Sequence, residues 1–150
     1  MANETIFSPG LKAGTILATT GTTLGKDVAN VGFTSMTQMS RVTQASGATS
    51  IVLPAGSMIV SCRLNVTTAW TGAATTCGVG TTVLATAMTA AGAIAGGTIG
   101  AASVSSGTDA TRTEFFNNVG ASDVKLVVTS TNTGSGAGVL VVEYGSAVNI

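Results

Sequence analysis

Two glycine-rich stretches contain the residue types that hold phosphate. GTTLGKD, residues 21–27, sets a lysine behind two glycines, as a P-loop does. It has three residues between Gly21 and Gly25 where four are required, and Asp27 stands where a Ser or Thr would hold magnesium. A carboxylate at that position repels phosphate. GSGAG, residues 134–138, contains Gly-x-Gly-x-Gly but runs into a β-favouring segment. Dinucleotide binding needs the N-terminus of a helix at that point. Both stretches read as turns.

The residues that carry hydrolytic chemistry are equally sparse. The 150 residues include no histidine, which removes Ser-His-Asp and Cys-His catalysis and the usual base near neutral pH. Glu4, Asp27, Asp109, Glu114, Asp123 and Glu143 are well separated along the chain. The expectation is a protein that is not an enzyme and takes no cofactor. Cys62 and Cys77 allow one disulfide at most. Cys62 falls on the apolar face of a predicted strand, so the two read as free, buried thiols in preference to a bridge. A zinc site from two cysteines alone is one ligand pair short. Trp70, the sole tryptophan, could be an interface anchor or a sugar-stacking ring. At the end of a long predicted strand it reads more simply as the cover for one end of a core.

Composition narrows the class further. Charged residues make up 8% of the chain, against about 25% in an average soluble domain. Six basic and six acidic residues give zero net charge, so little self-repulsion keeps copies apart. Lys12, Lys26, Arg41, Arg63, Arg112 and Lys125 are scattered, and a nucleic-acid footprint needs them clustered. No nucleic acid is expected. VLATAMTAAGAIAGGTIGAA, residues 83–102, has the length and lack of charge of a membrane span. Its few large apolar residues and its glycines and threonines cannot drive insertion, and no membrane is expected. MANETIFSPG has neither the basic nor the apolar region of a secretory signal.

The elements that must position these residues are strands. SMIVSCRLNVT, residues 57–67, alternates Met58, Val60, Cys62, Leu64 and Val66 against Ile59, Ser61, Arg63, Asn65 and Thr67. That is the period of an antiparallel sheet with one wet face. Ile51 to Leu53 and a Pro-Ala-Gly turn precede it as a hairpin-like unit. Residues 111–116, 121–131 and 138–148 read as strands, the last two joined as a hairpin by NTGSGAG. TTVLATAM and GGTIGAASVSS read as two more, around AAGAIAGG. No segment shows a helical stripe. The fold class is all-β, an antiparallel sandwich or barrel of about eight strands over residues 36–150. Residues 1–35 read as an extended N-terminal arm ordered against a partner. Its anchors are Ile6, Phe7, Leu11, Lys12, Ile16, Leu17 and Phe33.

The run ATSIVLPAGSMIVSCRLNVTTAWTGAATTCGVGTTVLATAM, residues 48–88, resembles small structural proteins of tailed bacteriophages in its succession of LPAG, long strand, TTAW and GVGTT. The closing GAGVLVVEYGSA is similar to their last strand. The resemblance implies a virion protein, most like a head decoration (cement) protein with a β-sandwich or jelly-roll domain. Such a protein sits on the capsid surface, as a homotrimer where major capsid protein subunits meet, and is assembled in the host cytoplasm. A phage tail tube or fibre subunit is a second reading, and a carbohydrate-binding β-sandwich using Trp70 and Tyr144 a third. Deleting residues 1–12 is expected to abolish binding to the shell while the β-domain still folds. Unchanged binding in a co-sedimentation assay would move the contact to the β-domain.

Overall fold

The alternation read in the two C-terminal strands is the alternation that the structure buries. Leu126, Val128, Leu140, Val142 and Tyr144 all point into the core, none more than 4% exposed. The computed structural model describes residues 33–147. In chain order they form β1 (Phe33–Thr43), β2 (Gly47–Leu53), β3 (Met58–Thr68), β4 (Thr76–Thr81), β5 (Ile94–Ala95), β6 (Gly100–Ser103), α1 (Ala110–Asn117), β7 (Val124–Ser130) and β8 (Ala137–Ala147). The rest of the expected arm, residues 1–32, lies outside the described residues.

The strands lie in two four-stranded sheets, ordered β1-β8-β3-β6 and β2-β7-β4-β5. The first strand neighbours the last, the second the seventh, the third the sixth and the fourth the fifth. This is one long two-stranded ribbon rolled up so that successive pairs fall alternately in the two sheets. The pairs β2–β7, β3–β6, β3–β8, β4–β5 and β4–β7 run antiparallel. It is the strand order of the eight-stranded jelly roll, and the expected all-β antiparallel sandwich is what the chain forms. Ile51, Leu53, Val79, Leu126 and Val128 from one sheet meet Ile59, Leu64, Val66, Leu140 and Val142 from the other. Each such side chain contributes about 1.5–3 kcal/mol when fully buried.

Several expectations are corrected by this topology. The Pro-Ala-Gly turn does not close a hairpin, because β2 and β3 belong to different sheets. The same holds for the loop between β7 and β8, which crosses from one sheet to the other. Residues 111–116 are helical, not extended. Asp109 caps the helix by accepting from the Arg112 backbone N–H at 3.0 Å, and this local bond outweighs the β preference of Thr and Phe. TTVLATAM is not a strand either. Strand β4 ends at Thr81, whose hydroxyl accepts from Leu84 N at 2.9 Å while Thr81 N donates to Leu84 O at 2.8 Å. These bonds turn the chain over, and the Ala/Gly-rich run continues as a loop over residues 82–93 before the short β5 and β6.

The alternation in β3 also breaks at one point. Ile59 pairs with Tyr144 and Ser61 with Glu143, so Val60 is an extra residue in the ladder. This β-bulge resets the phase. Cys62, Leu64 and Val66 face the core as expected, but Ile59 joins them, while Met58 and Val60 face outward.

Strand β1 carries no apolar alternation, and the structure explains why. Its inward positions hold Gln38, Ser40 and Val42, two of them polar, and Gln44 follows just past its end. Gln38 donates through Nε2 to Val52 O at 2.7 Å and accepts from Val52 N at 3.1 Å. Ser40 Oγ accepts from Ser50 N at 3.1 Å. These side chains satisfy the edge of β2 just where its register with β7 shifts, between Ala48 and Val52. Gln44, fully buried, accepts from Thr71 N at 2.9 Å and Gly136 N at 3.2 Å and donates to Thr71 O and Asn132 Oδ1. One amide thereby ties three segments together. The variant Gln44→Ala leaves the Thr71 N–H and the buried Gly136 N–H without this acceptor and is expected to lose about 3 kcal/mol. Urea unfolding measures this, and a loss under about 1 kcal/mol would show that the amide is not a tie.

Candidate functional site

The GTTLGKD stretch and Ile6, Phe7, Leu11, Lys12, Ile16 and Leu17 lie outside the described residues. Phe33 opens β1. In GSGAG the glycines serve packing: a Cβ on Gly136 would collide with the Trp70 ring, and one on Gly134 with the Gln44 amide. Trp70 is 2% exposed, roofed from the other side by Gly96, whose Cβ would stand 2.6 Å from the ring. It covers one end of the core. Tyr144 is 4% exposed, its hydroxyl accepting from Gln38 Nε2 at 2.8 Å. Neither aromatic offers a face for a sugar, so the two-ring stacking platform expected of a carbohydrate site is not formed.

The carboxylates are used one at a time. Asp109 caps α1 and meets Arg112 at 3.4 Å. Asp123 accepts from Ala55 N at 3.0 Å. Glu143 accepts from the hydroxyls of Ser35 at 3.1 Å and Ser61 at 3.3 Å on the outer side of the first sheet. Among the described residues no three acids or thiols gather where they could hold a metal. The described helix is far too short to cross a membrane, and residues 83–102 form loop, β5 and part of β6.

What the fold does present is apolar surface. The 82–93 loop lies flat on β4, where Gly80 has no room for a Cβ beside the Leu84 and Ala85 carbonyls, and Gly78 sits 3.0 Å, at its missing Cβ, from Ala90 O. At its tip Val83 is 95% and Leu84 52% exposed. On the opposite sheet, Met39, Met58 and Val60 are exposed and Val139 and Val141 half-buried. Sequence reasoning missed this second group. The signal was present in VLVVEY, residues 139–144, which is apolar at adjacent positions and therefore apolar on both faces of a strand.

The described strands define a jelly-roll domain with several aliphatic side chains exposed on its surface. No family model matches the chain, and no curated protein matches it. Among solved structures, it is similar to a chain of the cyanophage Pam1 capsid asymmetric unit, with 16% identity and a TM-score of 0.45, over 86% of this chain and 98% of that one.

The two thiols are free and buried on facing sheets. Burial pushes Cys62 up to about 12, against a smaller opposing hydrogen bond with the Arg63 backbone, and pushes Cys77 up to about 12. Both values lie above the ordinary 9.0, so the unfolded chain releases these protons first. Their contribution to stability is intact below pH 9 and is lost as pH rises from 9 toward about 12. Urea midpoints followed across that window are expected to fall more steeply for the native chain than for Cys62→Ala/Cys77→Ala. Parallel slopes would refute the thiol contribution.

Proposed function

We propose that this chain is a structural virion protein of a tailed bacteriophage, a decoration protein that binds the outside of the assembled head and stabilises it. In this reading it acts as a homotrimer at junctions between major capsid protein subunits. The observation that supports it most is the strand order, because the eight-stranded jelly roll serves viral capsid domains, lectins and cupins. The chain's own residues separate these uses. A lectin needs exposed aromatic rings, and Trp70 and Tyr144 are buried. An enzyme needs a base or nucleophile in place, and here histidine is absent, both thiols are buried and the acids are dispersed. The sequence resemblance to phage structural proteins favours the remaining use.

The mechanism is linkage. A protein that binds only the assembled shell lowers the free energy of that form relative to its separated subunits. With 8% charged residues, the contact contains few ion pairs to screen. Raising salt from about 0.1 M to about 1 M shortens the Debye length from roughly 10 Å to 3 Å, and binding should not weaken. The test mixes purified protein with heads assembled without it. Saturable binding, a higher melting temperature of the heads and the same affinity at both salt concentrations are expected. Binding to tails in place of heads, or to neither, would sink the proposal.

A further inference from the structure

The two halves of β1 are held in different ways. The strand lies at the edge of its sheet, beside β8. From Ser40 onward its inward side chains are buried, as Ser40, Val42 and, just past the end, Gln44. From Ser35 to Met39 no side chain is buried, and Met39 is 67% exposed. The inward side of β8 is the opposite case, with Leu140 and Val142 fully enclosed.

What ties Ser35–Met39 to the rest of the domain, beyond its pairing with β8, is polar. Ser35 Oγ donates to Glu143 at 3.1 Å on the outer side of the sheet. Gln38 donates to Val52 O at 2.7 Å and accepts from Val52 N at 3.1 Å, at a residue that is itself 39% exposed. Gln38 Nε2 and Met36 Sδ also close over the Tyr144 hydroxyl, at 2.8 Å and 3.8 Å. Water takes the place of such bonds at little net cost, whereas a buried aliphatic side chain has no such substitute. Residues that detach also regain backbone freedom. A segment with few buried apolar contacts and water-facing hydrogen bonds opens at a lower free energy than the whole domain.

We infer that Ser35–Met39 is a flap that opens from a domain that stays folded, turning at Ser40. The buried Ser40, Val42 and Gln44 keep the second half of β1 in place, and the opening stops there. It bares the main-chain edge of β8 together with the N–H and C=O of Val52, and it frees the Tyr144 hydroxyl. An unpaired edge is a template for an added strand, so the flap governs when that edge is offered. The inference stands apart from the virion reading, since it needs neither a capsid nor a second copy.

The test follows two rates in the full native chain, at urea concentrations below the unfolding transition. One is amide hydrogen exchange by NMR; the other is nitration of Tyr144, the sole tyrosine, by tetranitromethane. Amides of residues 35–39 should exchange about a hundredfold or more faster than the protected amides of β3 and β7. Their rates, and the nitration of Tyr144, should not change with urea, because a small opening exposes little surface. Amides of residues 41–43 should instead quicken with urea together with β3 and β7. Val128→Ala weakens the core of the closed and the open form alike, so it should speed β3 and β7 and leave residues 35–39 and Tyr144 unchanged. If that variant fails to fold, the urea series on the native chain decides alone. Protection at 35–39 equal to that of β3 and β7, or rates at 35–39 or Tyr144 that rise with urea in step with them, would overturn the inference. Residues 41–43 exchanging with the flap would overturn the turning point at Ser40.

Discussion

Two sheets can be stacked only if the edges where they meet are satisfied, and in this protein side chains meet that need where backbone pairing does not. Gln38 treats Val52 as a neighbouring strand would, giving one hydrogen bond and taking another. Ser40 does half of the same for Ser50, and Gln44 joins the ends of three connections at the far end of the strand. Loss of a partner at a buried backbone group costs more than a hydrogen bond gains. The closure therefore fixes where β1 lies relative to β2, and with it the position of β1 beside β8. The core, the roof over Trp70 and the outer face of the first sheet all depend on that placement.

The low charge of the chain is consistent with this construction. Neutral amides and hydroxyls do the polar work inside, and the described residues contain one ion pair, Arg112 with Asp109. Glycines have a related role at the places where backbone or ring approaches closely. Gly136 and Gly96 sandwich the indole of Trp70, and Gly80 lets the 82–93 loop lie directly on β4. The Ala/Gly/Thr character that looks like a weak membrane span in sequence is thus the character of a chain that packs backbone against sheet. Small side chains are what permit that distance.

Among the described residues the two thiols are buried, and Asp109 and Asp123 are committed to local structure, capping α1 and bonding Ala55 N. Among mostly small and polar exposed residues, aliphatic side chains also face outward, at the loop tip in Val83 and Leu84 and on the first sheet in Met39, Met58 and Val60. That distribution is one basis on which the domain is proposed as a component of an assembly, where many weak contacts add up.

The sequence by itself determined the class of the fold, because the period-two alternation at Cys62–Val66 calls for a strand with one core face, and the β-favouring runs at Val124–Val128 and Leu140–Tyr144 call for further strands. It also made plain which catalytic groups are missing, since the absence of histidine needs no structure to be read. Strand partners were decided only by tertiary structure: a turn such as Pro-Ala-Gly is the same locally whether it closes a hairpin or crosses between sheets. β1 was illegible for a related reason. Its inward Gln38 and Ser40, and Gln44 just past its end, are polar, and they settle inside only once β2 and the 131–136 connection supply their hydrogen-bond partners. The bulge at Val60 belongs to the same kind, a shift in pairing between two strands that neither strand's own pattern records. It is also what places Met58 and Val60 on the outer face, so the candidate surface could emerge only when the sheet was assembled.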